Sequence, residues 1–478
     1  MKRFWLVLLS LGLVMAFSVS AFAVDVKVSA EYYAAGLYLN KTSVLAQEGQ
    51  EFTNPSTAFF YQRLRVGTDF VVSPCLKLVT RFDAMERIWG GTRSNPFYSD
   101  PGQQVTDDEF SAGSRAESEN IAFDLAYIEY VSPVGLFRVG YQPDYVWGTV
   151  FADRATGTPV GTITYAVPVG PLTVEFQYAK EADRNYSYLD TNMAGTDADY
   201  DSYRLGAIYK FKGGEAGGLL LWNRDARAKG GFPGGGYNYL TNVFALDPYV
   251  KAKIGPVNVQ AEVIYFFGDA MKWEDQDQYP NGYSNIGVSA LSVFLDANAN
   301  FGMFNVGGSF VYLSGDDPST TDKLEGGDNY YGATINTAGL DWNPCLILFN
   351  NDLNYWTGGI YGHNGSSVTK EMSNAWFFQG RVGVKPTPAL DVTLALSYAM
   401  ADKKPNFEGP SFMQFNNGGY GTEIDLTGNY KLTNNLNYML GVGYLFTGDY
   451  FKGVAEPGNT GRQTENDFIV INKLTLSF

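Results

Sequence analysis

The sequence predicts an all-β protein that folds as a single closed, antiparallel transmembrane β-barrel of about 18 strands. Its 478 residues include 54 glycines, 15% aromatic and only 18% charged residues, a composition typical of many short strands and turns. Apolar and polar residues alternate in long runs without a helical period. After the N-terminus, no stretch reaches the ~18 apolar residues that a transmembrane helix needs, so strands must make any membrane crossing.

The N-terminal segment has the features of a secretory signal peptide. Two bases, Lys2 and Arg3, precede an apolar stretch over 4–20, and Ala21-Phe22-Ala23 follows as a cleavage site. We therefore expect a signal peptide over 1–23 and a barrel over 24–478, with an uncleaved helical anchor as the alternative. The net charge of −16 argues against nucleic acid as a partner.

The alternating runs predict the strands one by one. They cover 25–41, 57–73, 76–90, 120–131, 136–151, 161–168, 172–180, 201–211, 218–227, 243–254, 257–271, 286–301, 303–314, 374–385, 390–401, 421–432, 436–450 and 466–478. Most of these runs reach the ~9–11 residues that a tilted strand needs to cross the hydrocarbon. The shortest, 161–168, is the weakest of the eighteen.

The connections fall into two classes that alternate along the chain. Eight are tight and rich in Gly, Pro or Asn, which adopt the backbone angles of a reversal: 73–75, 132–135, 169–171, 212–214, 255–256, 301–302, 387–389 and 433–435. The other nine are longer and polar. A soluble β-sandwich has no reason to sort its connections in this way, whereas a membrane barrel has short turns on one side and long loops on the other.

The two faces of the strands agree with a wall between lipid and water. Along 390–401, apolar side chains occupy one face and small or polar ones the other: Leu390, Val392, Leu394, Leu396, Tyr398 and Met400 against Asp391, Thr393, Ala395 and Ser397. Lipid outside and water inside require this alternation.

The C-terminus resembles the last strand of bacterial outer-membrane proteins. The chain stops at Phe478, with Leu476, Leu474 and Val470 on the same face. With the leader and the eighteen strands, the architecture resembles a porin of the 16–18-stranded class. The strand count and Leu313-Ser314-Gly315-Asp316 further resemble the alginate-export type.

This resemblance implies an outer-membrane location in a diderm bacterium, with short periplasmic turns and long external loops. It also implies contacts with outer-membrane lipids and an assembly machinery that recognises Phe478.

Charged residues on the inward face are the candidate pore lining. Two neighbouring strands place five cations on one patch of wall: Arg63, Arg65, Lys77, Arg81 and Arg87, with Asp69 and Asp83 between them. Further inward charges on other strands are Arg138, Arg204, Lys210, Lys251, Lys253 and Arg381, against Asp124, Asp144, Glu175, Glu262, Asp296, Glu423 and Asp425. Such a wall suits a track for anionic solutes or the transverse field of a constriction. In the alternative, the acids and bases cancel.

The connection over 315–373 is the candidate constriction loop. It is polar except for an apolar centre that includes Trp342, Cys345 and Phe349. Water would face this centre unless something covers it. The loop therefore folds back into the barrel, packs as an outer lid, or forms an extra pair of strands. Because Cys75 lies at a periplasmic turn, no disulfide to Cys345 is expected unless the loop passes through the barrel.

We therefore expect a passive diffusion channel for small polar or anionic solutes, with no cofactor, metal site or catalytic residue. The alternative is a scaffold or sheath for a partner such as a periplasmic cytochrome or a secretion component. A hydrolase is a third possibility, because His363, the single histidine, lies close in sequence to Asn364, Ser366 and Ser367, the residue types of a catalytic triad. The acids at 107–109 and 316–317 offer hard oxygen ligands for Ca²⁺, although plain loop acidity explains them as well.

Overall fold

A computed structural model describes residues 24–46, 54–90, 121–144, 146–151, 159–183, 197–229, 239–273, 284–327, 335–363, 366–405, 415, 417–452 and 463–478. The predicted signal peptide over 1–23 and the acids at 107–109 lie outside these residues. Within them, no helix is long and apolar enough to cross a membrane.

Eighteen long strands and one two-residue strand form a single sheet. The strands are β1 Asp25–Leu39, β2 Thr57–Ser73, β3 Leu76–Ile88, β4 Ile121–Ser132, β5 Gly135–Pro143, β6 Pro159–Val169, β7 Leu172–Ala182, β8 Tyr200–Phe211, β9 Gly214–Asp225, β10 Tyr239–Ile254, β11 Val257–Trp273, β12 Ile286–Phe301, β13 Phe304–Leu313, the short β14 Lys323–Leu324, β15 Ala375–Thr387, β16 Leu390–Ala401, β17 Gly419–Lys431, β18 Leu436–Thr447 and β19 Asp467–Ser477.

The sheet closes on itself because β1 pairs with both β2 and β19. Tyr33 lies opposite Arg63 on one side and opposite Thr475 on the other. The long strands all pair antiparallel with their sequence neighbours, and the short β14 pairs parallel with β12. Closure pairs every barrel edge, as a membrane barrel requires. The predicted 18-strand barrel is thus confirmed.

The strand faces separate as the sequence predicts. On β16, Leu394 and Leu396 are 44% and 54% exposed on the outer face, whereas Ser397 on the inner face is 1% exposed. On β11, Val263 and Tyr265 face outward and Glu262 is buried inside. The outer face is therefore a band of exposed apolar side chains, the surface that a bilayer covers.

The run over 136–151 departs most from the prediction, whereas the weakest run is confirmed. The run over 136–151 ends as a strand at Pro143, and residues 146–151 turn into the barrel instead. Proline cannot donate the next ladder hydrogen bond, and Gly148 has a positive φ of 66°. The weak run over 161–168 is a full strand, β6.

Among the residues that the structure describes, the connections after β5 and β14 turn inward. We call residues 146–151 the first inward loop, and residues 335–363 with 366–374 the second inward loop. The second contains a short helix, α1 (Asn351–Thr357). The Asn350 side chain caps α1 by accepting a hydrogen bond from the Leu353 amide, and Gly358 ends it with a φ of 76°.

The largest apolar cluster lies inside the barrel, between the second inward loop and the lumen-facing side chains of the wall. It joins Ile347, Leu348 and Trp356 of the loop to Phe377 of β15 and Ile469 of β19. The packed interior also reaches Tyr61 of β2 and Ile264 of β11, on other parts of the wall.

Candidate functional site

A ladder of ion pairs covers the lumen faces of β1–β5, which we call the charged wall. Its cations are Arg63, Arg65, Lys77, Arg81 and Arg138, and its acids are Glu31, Asp69, Asp83, Glu86, Asp124 and Glu129. Each of these cations lies within 4 Å of at least one of these acids. Formal charges on the wall therefore nearly cancel.

The centre of the charged wall is a network around Arg65. Its Nε and Nη2 each donate to a different oxygen of Asp83 at 2.7 Å, the two-pronged geometry that suits a carboxylate. Asp124 lies 3.6 Å from Arg65 and 3.3 Å from Nε of Arg81. A register shift between β3 and β4 occurs beside Asp124 and brings its carboxylate to this network.

The prediction that Arg87 faces the lumen with its neighbours is wrong. Arg87 lies opposite Gln62, whose side-chain oxygen accepts hydrogen bonds from Tyr32 and Trp89 on the outer face. Residues directly opposite in a pair share one face. A register shift at this point, with Met85 at a φ of 53°, reverses the alternation, so that Glu86 faces inward to Arg63.

The first inward loop is held by Glu262 of β11. The backbone amides of Thr149, Val150 and Phe151 donate to the two oxygens of this carboxylate, and the Thr149 hydroxyl donates to it as well. Glu262, predicted as a pore-lining acid, is 1% exposed. It therefore anchors a loop rather than facing open water.

Trp147 of the same loop packs flat against the wall of β8–β10. Its indole donates to the Asp247 carbonyl at 3.1 Å and meets the Tyr249 ring edge-on at 5.5 Å. A methyl group on Gly206 would lie 2.6 Å from the indole, so glycine is required for this contact. Trp147 is not among the residues predicted from the sequence, although lumen-facing glycines on paired strands are a signal for such an insertion.

The second inward loop is held by a pair of acids on β17. Glu423 accepts the backbone amides of Ile347 and Leu348, both at 2.7 Å, and Asp425 accepts that of Leu346 at 3.3 Å. Both acids are buried, at 0% and 4% exposure. They appear in the sequence analysis as lumen acids, but their loop contacts join residues 75–79 positions apart.

Aromatic side chains fix this loop across the lumen. Trp356 of α1 packs against Tyr61 of β2 with ring centres 4.5 Å apart and the rings tilted by 32°. Trp342 meets Phe294 and Phe377 edge-on, and Phe349 meets Tyr420. The predicted constriction residues Trp342, Cys345 and Phe349 thus lie inside the barrel, in neither an outer lid nor an extra pair of strands.

Arg204 of β8 is common to the linings of two lumen cavities of about 230 Å³ each. One cavity reaches Arg138 and Glu175, and the other lies between the two inward loops, with Phe151 and Ile335 in its lining. Arg204 itself pairs with Asp144 and Glu181. The two cavities, whose linings include residues of β4–β9 and β11, are the candidate passage.

Arg381 lies away from this passage, on β15. It pairs with Asp296 and also donates to Ser309 and Gln379. These partners belong to three adjacent strands, β12, β13 and β15, so the guanidinium ties part of the wall together.

The external acids at 316–317 have protein partners of their own. Asp317 accepts from Ser319 and pairs with Lys403 at 3.0 Å, contacts that lower its pKa to about 2. Burial raises the pKa of Asp316 to about 6, although the Glu325 amide donates to it. These contacts occupy carboxylate oxygens that a Ca²⁺ site would use.

His363 and the two cysteines complete the predicted candidates. The His363 ring meets Phe415 edge-on, and the Ser367 hydroxyl is directed to Asn354. Asn364 of the proposed triad lies outside the described residues. Both thiols are free: Cys75 is exposed at its turn, and Cys345 is buried in the lumen.

The closed 18-strand wall, with its apolar outer face and charged lumen, defines the fold of an outer-membrane β-barrel of the porin type. No protein-family model matches the chain, and no curated protein matches it significantly.

Solved structures resemble the chain over nearly its whole length but at low identity. Pseudomonas aeruginosa OccK9 (OpdG) is 13% identical with a TM-score of 0.48, and each alignment covers 95% of this chain and 99% of the other. P. aeruginosa OpdK with vanillate is 10% identical with a TM-score of 0.47, and the alignment covers 95% of this chain and 99% of that chain. An anion-selective porin from Comamonas acidovorans is 9% identical with a TM-score of 0.38, over 95% and 99%. The finer likeness to alginate-export barrels stays a prediction.

Proposed function

We propose that this chain is a passive diffusion channel of the outer membrane for small polar solutes, with anionic groups guided along the charged wall. The observation that carries the proposal is the pair of cavities that share Arg204. One of them reaches Arg138 of the charged wall, and the other lies beside the second inward loop. A passage with polar, charged walls passes hydrated solutes and rejects apolar ones.

Ion pairing limits how selective this channel is. Because the cations of the charged wall are each paired with an acid, their long-range field is weak. A guanidinium has five N–H donors, so an arginine that holds one carboxylate still has donors for a second. We therefore expect a modest preference for anions that comes from hydrogen bonding more than from net charge.

The location follows from the same architecture together with both ends of the chain. We propose that residues 1–23 direct export, and that Phe478 is the signal for the outer-membrane assembly machinery. Phe478 is 65% exposed and pairs through its backbone with Ala30 of β1, so its ring is accessible at the periplasmic rim. Membrane lipids are then the partners of the outer face.

The scaffold and hydrolase alternatives have less support. A sheath needs an open lumen to hold a partner protein, whereas the second inward loop packs a large apolar cluster into it. A hydrolase needs a base next to its nucleophile, but Ser367 is directed to Asn354. Transport explains more of the observed features than either alternative.

Planar-bilayer recording of the purified protein tests the proposal. We expect a steady open conductance and a reversal potential of modest anion preference under a salt gradient. Absence of any conductance from correctly folded protein would contradict the channel, and a strong cation preference would contradict the role of the wall.

Two opposite substitutions test the wall itself. Arg65→Gln leaves Asp83 without its bidentate partner and Asp124 with Arg81 alone, and it shifts the reversal potential toward cations. Asp83→Asn frees Arg65 and shifts it toward anions. Lys403→Gln, in an external ion pair, is the matched control and leaves it unchanged. Equal shifts in all three variants would show that the wall does not set selectivity.

A further inference from the structure

Three buried side chains meet where the second inward loop touches β17. They are the thiol of Cys345 and the carboxyl groups of Glu423 and Asp425, with one potential ligand atom of each within 4.8 Å of the others. None of the three is more than 4% exposed. The cluster lies outside the two cavities of the proposed passage.

The electrostatics of this cluster are unusual for a protein interior. Across the described part of the chain, no lysine or arginine forms an ion pair with Glu423 or Asp425, although most other lumen acids have such a partner. Three backbone amides donate to the two carboxyl groups. Two adjacent buried carboxylates need more compensation than amides supply, from a shared proton or from a cation.

One ligand atom of the cluster is unused. Oδ1 of Asp425 is buried and has no hydrogen-bond partner among the residues that the structure describes. A buried acceptor without a donor is costly. A bound cation would compensate for it directly.

We propose that Cys345, Glu423 and Asp425 form a binding site for one divalent cation of the zinc class. A thiolate with two carboxylates suits Zn²⁺, Co²⁺ or Cd²⁺, whereas Ca²⁺ and Mg²⁺ prefer oxygen ligands alone. Zn–S and Zn–O bonds are about 2.3 and 2.1 Å long. Ligand atoms within 4.8 Å of one another therefore need to move only slightly to bind one ion.

Surrounding groups already orient these ligands. The Ile347 and Leu348 amides hold Glu423, and the Ser397 hydroxyl lies beside Cys345 and accepts from Gln379 at 3.0 Å. Such outer contacts fix ligand orientation in metal sites. A water molecule completes the coordination.

The site would fasten the loop to the wall. Cys345 belongs to the second inward loop and both acids belong to β17, so one ion joins the two elements. Metal binding adds its free energy to the folded arrangement of the loop. This assignment departs from the sequence-based expectation of no metal site.

Titration of the refolded full-length barrel with Co²⁺ in detergent tests the proposal. Thiolate coordination gives a charge-transfer absorption band, which we expect to saturate at a single equivalent. Cys345→Ser abolishes the band, and Asp425→Asn weakens binding at least tenfold. Cys75→Ser, which removes the exposed thiol at the periplasmic turn, leaves it unchanged.

Folding and adventitious binding are controlled separately. Each variant is checked for the heat-modifiable gel mobility of a folded barrel, and where Asp425→Asn fails to fold, the result for Cys345→Ser decides the proposal. The proposal is overturned if folded wild-type protein shows no band, or if the band persists in Cys345→Ser. A band that disappears in Cys75→Ser would assign the metal to Cys75 and would likewise overturn the proposal.

Discussion

Two regions of the lumen wall are built from the same alternating strands but differ in their inner faces. On β2–β5 the inward residues include long, charged side chains, which form the ion pairs of the charged wall. On β16–β18 they include small residues such as Ala395, Ala399 and Gly443, over which the second inward loop packs. Side-chain size on the inner face therefore distinguishes a wall of ion pairs from a wall that holds a loop.

Two glycines of the wall show how a missing side chain makes room for a loop. A methyl group on Gly443 would lie 3.0 Å from Leu346 of the second inward loop and 2.7 Å from Oδ1 of Asp425. On the other side, Gly206 makes room for Trp147 of the first inward loop. Each loop thus inserts an apolar side chain where the wall lacks one, and acids of the wall, Glu262 of β11 or Glu423 of β17, hold its backbone.

The largest effect is expected from a substitution in the second inward loop. Trp356→Ala removes a fully buried indole that packs against Tyr61. The loss should destabilise the second inward loop by about 3–5 kcal/mol. Hydrogen exchange at amides 346–349 should speed up, and the conductance should rise and fluctuate. Trp89→Ala, on the exposed outer rim, is the control. Unchanged exchange in Trp356→Ala would contradict a packed interior.

The anchor of the first inward loop should have the next largest effect. Glu262→Gln replaces one acceptor oxygen with a donor that faces the amides of Thr149, Val150 and Phe151. A buried donor left without an acceptor costs about 1–3 kcal/mol. Faster exchange of these amides, with strand amides unchanged, would support the anchor. Glu215→Gln, on the lumen face of the adjoining wall, is the comparison variant.

A smaller effect, which depends on pH, is expected in the external segment that contains Asp316. The pKa of Asp316 is raised to about 6, above the ~3.9 of an unfolded aspartate. The folded segment holds this proton more tightly, so its stability rises as pH falls from 7 to 5, by up to about 2 kcal/mol. Hydrogen exchange over 314–327 should slow at pH 5. Asp316→Asn should remove the dependence, and a wild-type segment that is less protected at pH 5 would reverse the sign.

The smallest effect belongs to the exposed pair of Asp317 and Lys403. Its lowered pKa of about 2 means that the pair contributes stability above the pKa of unfolded aspartate and loses it only as pH falls toward 2. Asp317→Asn should cost less than about 1 kcal/mol, with no change between pH 5 and 8. A larger loss in thermal unfolding would show that this pair organises the external loop.

Local sequence patterns predicted the wall well. Alternation and the sorting of turns and loops gave eighteen strands, because a membrane barrel imposes the same two-residue period on every strand. Parity failed where a bulge intervenes, so Arg87 was placed on the wrong face, and the strand predicted to reach 151 ends at Pro143.

The interior of the barrel depends on long-range contacts and was harder to predict. The apolar centre at 342–349 indicated a covered segment, but not what covers it. Its anchors, Glu423 and Asp425, lie more than 70 residues away. Ion pairing of the wall could be inferred in part, because Glu31 and Glu129 share the inward parity of Arg63 and Lys77.

The central claim is that solutes move through the proposed passage and not beneath the second inward loop. Cysteine accessibility in single channels tests this claim most directly. In a chain without Cys75 and Cys345, Gln177→Cys places a thiol in the proposed passage, and Ser397→Cys places one beneath the second inward loop. A charged thiol reagent should block current stepwise in Gln177→Cys and leave Ser397→Cys unaffected. Block of Ser397→Cys without block of Gln177→Cys would contradict the account.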